Sequence, residues 1–156
     1  MSDNLPRIDI RCCKRDPYTT TYWAAENGHL ECLKHAHANG CEWHSNTTWA
    51  AAKNGHLKCL RYARENGCML QPYTTFVAAQ HGHLECLRYA HENGCKLHPR
   101  TTWIAACNGH LECLRYAHDN DCELDPYTTW AAACNGHLGC LMYIYEHCGE
   151  DRKSVV

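Results

Sequence analysis

Apolar residues along this chain fall into short runs that return at a fixed interval. Leu30, Leu33 and Ala36 are followed by Leu57, Leu60 and Ala63, then Leu84, Leu87 and Ala90. Leu111, Leu114 and Ala117 come next, and Leu138, Leu141 and Ile144 close the series. A spacing of i, i+3, i+6 predicts one apolar face of a helix. The columns of Cys32 and Tyr62 widen that face, with His35 in the tyrosine's place in the first unit. Arg61, Arg88 and Arg115 lie on the opposite, charged side. Arg88 has Glu85 and Glu92 within helical reach, which reads as a solvated surface held by ion pairs.

A shorter apolar run precedes each of these helices. It opens with a threonine pair, such as Thr47-Thr48 or Thr74-Thr75, and ends in Ala-Ala and then Asn-Gly (His-Gly once). Threonine is a good N-cap, and a glycine after the last turn stops a helix in the left-handed region. Each unit therefore reads as a helix of about two turns, a tight turn, a longer helix and a short link. Asn-Gly-Cys ends the longer helix, except that Asp121 replaces the glycine in the fourth unit.

The glycines at the first turn are Gly28, Gly55, Gly82, Gly109 and Gly136, each 27 residues after the last. No unit of this size buries its own apolar face, so the units must stack. The predicted fold is an all-α helix-turn-helix solenoid of five repeats, at 20–46, 47–73, 74–100, 101–127 and 128–148. Residues 1–19 read as a degenerate leading cap and residues 149–156 as a polar tail.

Charge and composition narrow the function. Lys plus Arg is 15 against 17 Asp plus Glu, and this near-balance argues against a nucleic-acid surface. No stretch approaches the roughly 18 apolar residues of a membrane span, and "MSDNLPRIDI" has no signal-peptide core. The 14 cysteines are then expected to be free thiols in a reducing intracellular compartment, cytoplasm or nucleus.

The stretches "AAENGHLECLKHAHANGC" (24–41), "AAQHGHLECLRYAHENGC" (78–95) and "AACNGHLECLRYAHDNDC" (105–122) resemble the ankyrin repeat. The resemblance runs over about residues 17–149. Thr-Thr plus an aromatic replaces the family's Thr-Pro-Leu-His opening, and the period is 27 rather than the usual 33 or so. The shortfall lies in the link where ankyrin repeats project a β-hairpin, so that hairpin is expected to be shortened or absent. The short form is similar to repeats of large DNA viruses and protists. The resemblance implies a non-enzymatic scaffold, a monomer, that holds a protein partner on its concave face.

Candidate residues follow from the columns. Tyr22, Trp49, Phe76, Trp103 and Trp130 share one register of the first helix, and the next register holds Trp23, Ala50, Val77, Ile104 and Ala131. Only one of the two registers has room to be fully buried. The aromatic register is either core filling or a ladder of binding anchors. Variable link residues, among them His44, Gln71, Arg100 and Asp125, would set specificity.

The recurring His and Cys allow a second reading, a zinc-binding or thiol-rich protein. In the third unit its ligands would be His83, Cys86, His91 and Cys95. Core packing of small apolar thiols is the alternative for those columns, and it calls for no cofactor. Cys107 and Cys134 share a first-helix register with Glu26, Lys53 and Gln80 and are expected to be exposed. No nucleophile with an orienting partner and no phosphate loop stands out, so an enzyme is not expected. The terminal Ser154-Val155-Val156 resembles a carboxylate ligand for PDZ domains.

Overall fold

A computed structural model describes residues 17–148. Its helices are α1 (Pro17–Glu26), α2 (Leu30–Ala38), α3 (Thr47–Lys53), α4 (Leu57–Glu65) and α5 (Thr74–Gln80), then α6 (Leu84–Glu92), α7 (Thr101–Cys107), α8 (Leu111–Asp119), α9 (Pro126–Cys134) and α10 (Leu138–His147). No β-strand occurs among the described residues, so the links carry no hairpin there. Most of the expected cap at 1–19, the tail at 149–156 and Ser154-Val155-Val156 lie outside the described residues.

Odd-numbered helices pack side by side in one layer, and even-numbered helices in a second. Each odd helix also packs on the even helix that follows it. The core lies between the layers. Leu33, Leu60, Leu87 and Leu114 are fully buried there, as are Ala25, Ala52, Ala79 and Ala106. Alanine on the odd helices lets neighbouring backbones approach closely, and leucine from the even helices fills the space between layers.

Both turns of a unit close in the same way. The Cys68 amide donates to the Ala63 carbonyl (2.9 Å), and the His56 amide to the Ala51 carbonyl (2.9 Å). These long back-bonds need a left-handed residue inside the turn. Asp121 supplies one without being glycine, at φ 68°.

The threonine pairs do not cap. Asn46, Tyr73 and Arg100 occupy the cap positions and make no side-chain cap bond. The threonines lie inside the first turn and are buried. Thr48, Thr75 and Thr102 donate instead to the carbonyls of Met69, Lys96 and Glu123, at 2.9, 2.9 and 2.7 Å. Each bond ties the start of a unit to its own outgoing link. The spacing looks like a cap because both roles need a short hydroxyl at a helix start. Among the described residues Asp125 is the one side-chain N-cap, accepting from the Thr128 amide at 2.7 Å.

Repeats are joined by aromatic contacts. His137 Nε2 donates to the Cys107 carbonyl of the preceding repeat at 3.1 Å, and its ring lies over Gly109. His56, His83 and His110 lie over Gly28, Gly55 and Gly82 in the same way. On the even helices, the imidazoles of His37, His91 and His118 hydrogen-bond the hydroxyls of Tyr62, Tyr116 and Tyr143 in the next repeat (3.2, 2.9 and 2.9 Å).

The arginine column acts between repeats as well. Arg61, Arg88 and Arg115 sit over the rings of Tyr89, Tyr116 and Tyr143, at 5.4, 5.6 and 5.2 Å. The ion pairs expected within each helix are not formed by these arginines. Among the described residues the ion pair observed is Lys34–Glu31 at 2.9 Å, in the first unit, where Lys34 takes the arginine's place.

Two substitutions separate these effects. A Cβ on Gly136 meets nothing within 4 Å, whereas one on Gly109 falls 2.5 Å from His137 Nδ1. Both glycines have positive φ. Gly136→Ala should therefore cost about 1–2 kcal/mol for the backbone alone. Gly109→Ala should cost about 1 kcal/mol more, because the imidazole must leave its carbonyl. Urea unfolding of the two variants gives the difference. Thr75→Val, which deletes the bond to the Lys96 carbonyl, is expected to cost about 1 kcal/mol in the same measurement.

Candidate functional site

The aromatic register of the odd helices is neither core nor fully exposed. Trp49, Phe76 and Trp103 are half-buried and lean on the core, and Tyr22 is half-buried too. The neighbouring register takes the core position: Ala50, Val77, Ile104 and Ala131 are buried. The ends of the ladder are more open. Trp130 is 62% exposed, and Trp23 is 57% exposed where its counterparts are covered.

The link residues fold onto this ladder. His44 meets the edge of Tyr22 with ring centres 5.3 Å apart, and His98 meets Phe76 at the same distance. Tyr73 joins the second pair at 5.8 Å from His98. Further along the face Arg100, Trp103, Asp125, Tyr127 and Trp130 line one open cavity of about 410 Å³. The structure thus brings the predicted Trp103, Arg100, Asp125 and Trp130 together. Gln71 turns toward the previous link, where its amide donates to the Ser45 carbonyl at 2.6 Å.

Some of these side chains also hold their own loops. The Asn46 amide donates to His44 Nδ1 (3.0 Å) and the Arg100 amide to His98 Nδ1 (3.1 Å). Asp125 takes the equivalent place with its carboxylate, accepting from the Thr128 hydroxyl as well as its amide. Arg100 lines the cavity and makes no ion pair among the described residues, which leaves its guanidinium donors available.

His98, Tyr73 and Tyr127 lie within the variable links at 69–73, 96–100 and 123–127, where the sequence alone does not set them apart from their neighbours. Stepping back 27 from Asp125 lands on His98, the true counterpart of His44 and Gln71. Arg100 belongs instead with Asn46, Tyr73 and Tyr127. Both columns line the same face.

Lys53 and Glu26 extend the face one turn along the odd helices. Lys53 lies 5.2 Å over the Trp49 ring, and Tyr22 donates to Glu26 at 2.9 Å. Cys107 and Cys134 occupy that register in the last two units, half-buried and exposed respectively.

The four residues of the possible zinc site point to separate partners. His83 lies over Gly55 and hydrogen-bonds the Lys53 backbone, and Cys86 is sealed in the core. His91 bonds Tyr116, and the Cys95 thiol donates to the Gln71 carbonyl at 3.3 Å. Among the described residues no group of three or more His, Cys, Asp or Glu is placed to hold a metal ion. Burial and the nearby His81 hold the His83 imidazole below its ordinary value, so the ring is neutral at neutral pH.

Burial pushes the thiols the other way. Cys86 and Cys113 rise to about 12, with Glu85 and Glu112 adding to the effect, and Cys68 rises to about 11. Such groups stay protonated and behave as small apolar side chains.

A family model described as "Ankyrin repeats (3 copies)" matches residues 21–101, slightly more than half of the chain. The chain belongs to the ankyrin-repeat family. The human ASB11 ankyrin repeat domain shares the fold, with a TM-score of 0.71 and 22% identity over 81% of this chain and 67% of that one. No curated protein matches the sequence. Ankyrin repeats are in general modules for binding other proteins, and no helix here is long and apolar enough to cross a membrane.

The raised thiols make the stability of this ankyrin array pH-dependent. Cys86 and Cys113 lose protons near 9 when unfolded and near 12 when folded. The folded state is favoured in full below about pH 9. The advantage is lost as pH rises from about 9 to about 12, because the unfolded chain ionises first. Unfolding midpoints across that range should fall, and Cys86→Ala with Cys113→Ala should flatten the slope. In a thiol-labelling time course Cys134 should react first among the described cysteines, and Cys86 and Cys113 only on unfolding.

Proposed function

We propose that this protein is a non-enzymatic scaffold that captures a protein partner on the face formed by its odd helices and links. That face would be the concave side of the array. The cavity of Arg100, Trp103, Asp125, Tyr127 and Trp130 carries the reading. It combines aromatic walls of large area with a free guanidinium and a carboxylate. Trp, Tyr and Arg are the side chains from which strong contact points are most often built.

The chemistry indicates what fits. An apolar or aromatic side chain of the partner enters between Trp103 and Trp130. A carbonyl or carboxylate next to it accepts from Arg100. Tyr73, Phe76 and His98 form a second, shallower contact one repeat earlier, and Trp49 under Lys53 a third. An extended segment lying across successive repeats would meet these contacts in turn. The mechanism is association alone and calls for no cofactor. The 27-residue period aligns the chain with the short ankyrin form similar to repeats of large DNA viruses and protists. A reducing cytoplasm or nucleus suits its twelve described cysteines, none of which is in a disulfide.

A displayed peptide library selected on the purified protein tests this. The best binders should carry an aromatic residue near an acid. Trp130→Ala should weaken them at least about tenfold while leaving the helical circular dichroism intact, since that ring is mostly outside the core. Arg100→Ala should act in the same direction. Binders that ignore both substitutions but lose affinity on Glu85→Lys, on the even-helix side, would sink the reading.

A further inference from the structure

The last repeat leaves its trailing side open. In the earlier repeats that side is covered by the following unit: an imidazole lies over each turn glycine, and Leu30, Leu57, Leu84 and Leu111 are half-buried. Nothing lies within 4 Å of a Cβ on Gly136. Leu138, Met142 and Tyr145 are 66%, 54% and 68% exposed, and they follow one stripe of α10 at i, i+4, i+7. Ala133 is exposed beside them, although its counterparts Ala52, Ala79 and Ala106 are sealed.

Open faces of a solenoid ordinarily carry polar side chains. The stripe of Leu138, Met142 and Tyr145 is apolar or uncharged instead. The column of Met142 holds Lys34, Arg61, Arg88 and Arg115 in the other units. The column of Tyr145 holds His37, Arg64, His91 and His118. Arginine suits a contact with a different surface, as where Arg115 covers Tyr143. It suits a contact between two copies of one surface badly, because a two-fold axis sets like charges against each other. The basic residues are absent from both columns only in this repeat, and uncharged Met and Tyr stand in their place.

We propose that a second copy of the chain docks here, C-terminal repeat to C-terminal repeat, in place of the monomer expected from the sequence. The contact covers the side of α10 that corresponds to the side of α8 covered by α10 within the chain. It is isologous: Leu138, Met142 and Tyr145 of one copy close on the same stripe of the other. Glu146, one residue beyond Tyr145, stays exposed to water at the rim. The odd-helix face is left free, so each dimer carries two copies of it.

Sedimentation equilibrium of the full chain, from sub-micromolar to near-millimolar concentration, reads the result. The mass should rise from 17.8 kDa to twice that value. Met142→Arg combined with Tyr145→His, residues found in the other repeats, should hold the protein at the monomer mass with unchanged circular dichroism, and with an unchanged thermal midpoint at concentrations where the wild type is monomeric. A wild-type chain that stays monomeric throughout overturns the inference. So does a double variant that still dimerises, which would put the contact elsewhere. A chain that dimerises only after removal of residues 149–156 also overturns it, by showing the tail to be the occupant. Peptide binding at Trp130 is measured separately, so failure of the dimer leaves the partner-binding face untouched, and the reverse.

Discussion

How closely two repeats can stand governs everything else in this molecule. Alanine sets that distance in the odd-helix layer, where Ala25, Ala52, Ala79 and Ala106 are fully buried. Glycine sets it at the turns, where an imidazole from the next unit occupies the place a Cβ would take. With the backbones held this near, leucines from the even helices fill the space between layers. Cysteine completes the packing: a protonated thiol is small, polarisable and able to donate weakly to a carbonyl such as that of Gln71. The odd helices then have no inward room left for large rings. Trp49, Phe76 and Trp103 are displaced to the open side, so the binding face follows from the packing rather than being added to it.

Much of the fold was legible from one number, the interval of 27 residues. It placed the helices and both turns, because a periodic chain repeats its signals in every copy. What escaped was anything decided by a neighbour. Arg88 looks like half of an ion pair when the helix is read alone, since Glu85 and Glu92 are near it in sequence. Its actual contact, Tyr116, lies one repeat further on. Thr75 looks like a cap until the outgoing link folds back and presents the Lys96 carbonyl.

The binding face was legible to a similar depth. Periodicity identified two adjacent registers and showed that only one could be covered. It could not say which, because the choice rests on the angle at which an odd helix meets the next. The structure covers the register of Ala50 and Val77 and leaves that of Trp49 and Phe76 half-open. The pairing of ladder and link was beyond the sequence, since Phe76 and His98 are far apart along the chain and meet only through the fold.

The imidazole over the turn glycine makes each junction between repeats alike and gives it a direction. A unit removed between two such glycines leaves a junction with the same two partners as before, and a duplicated unit creates one more of the same kind. Array length can therefore change by whole units through unequal recombination without any new packing problem to solve. Selection is then free to act on the number of contacts displayed, and on the ladder residues within each copy, while the rules of assembly stay fixed.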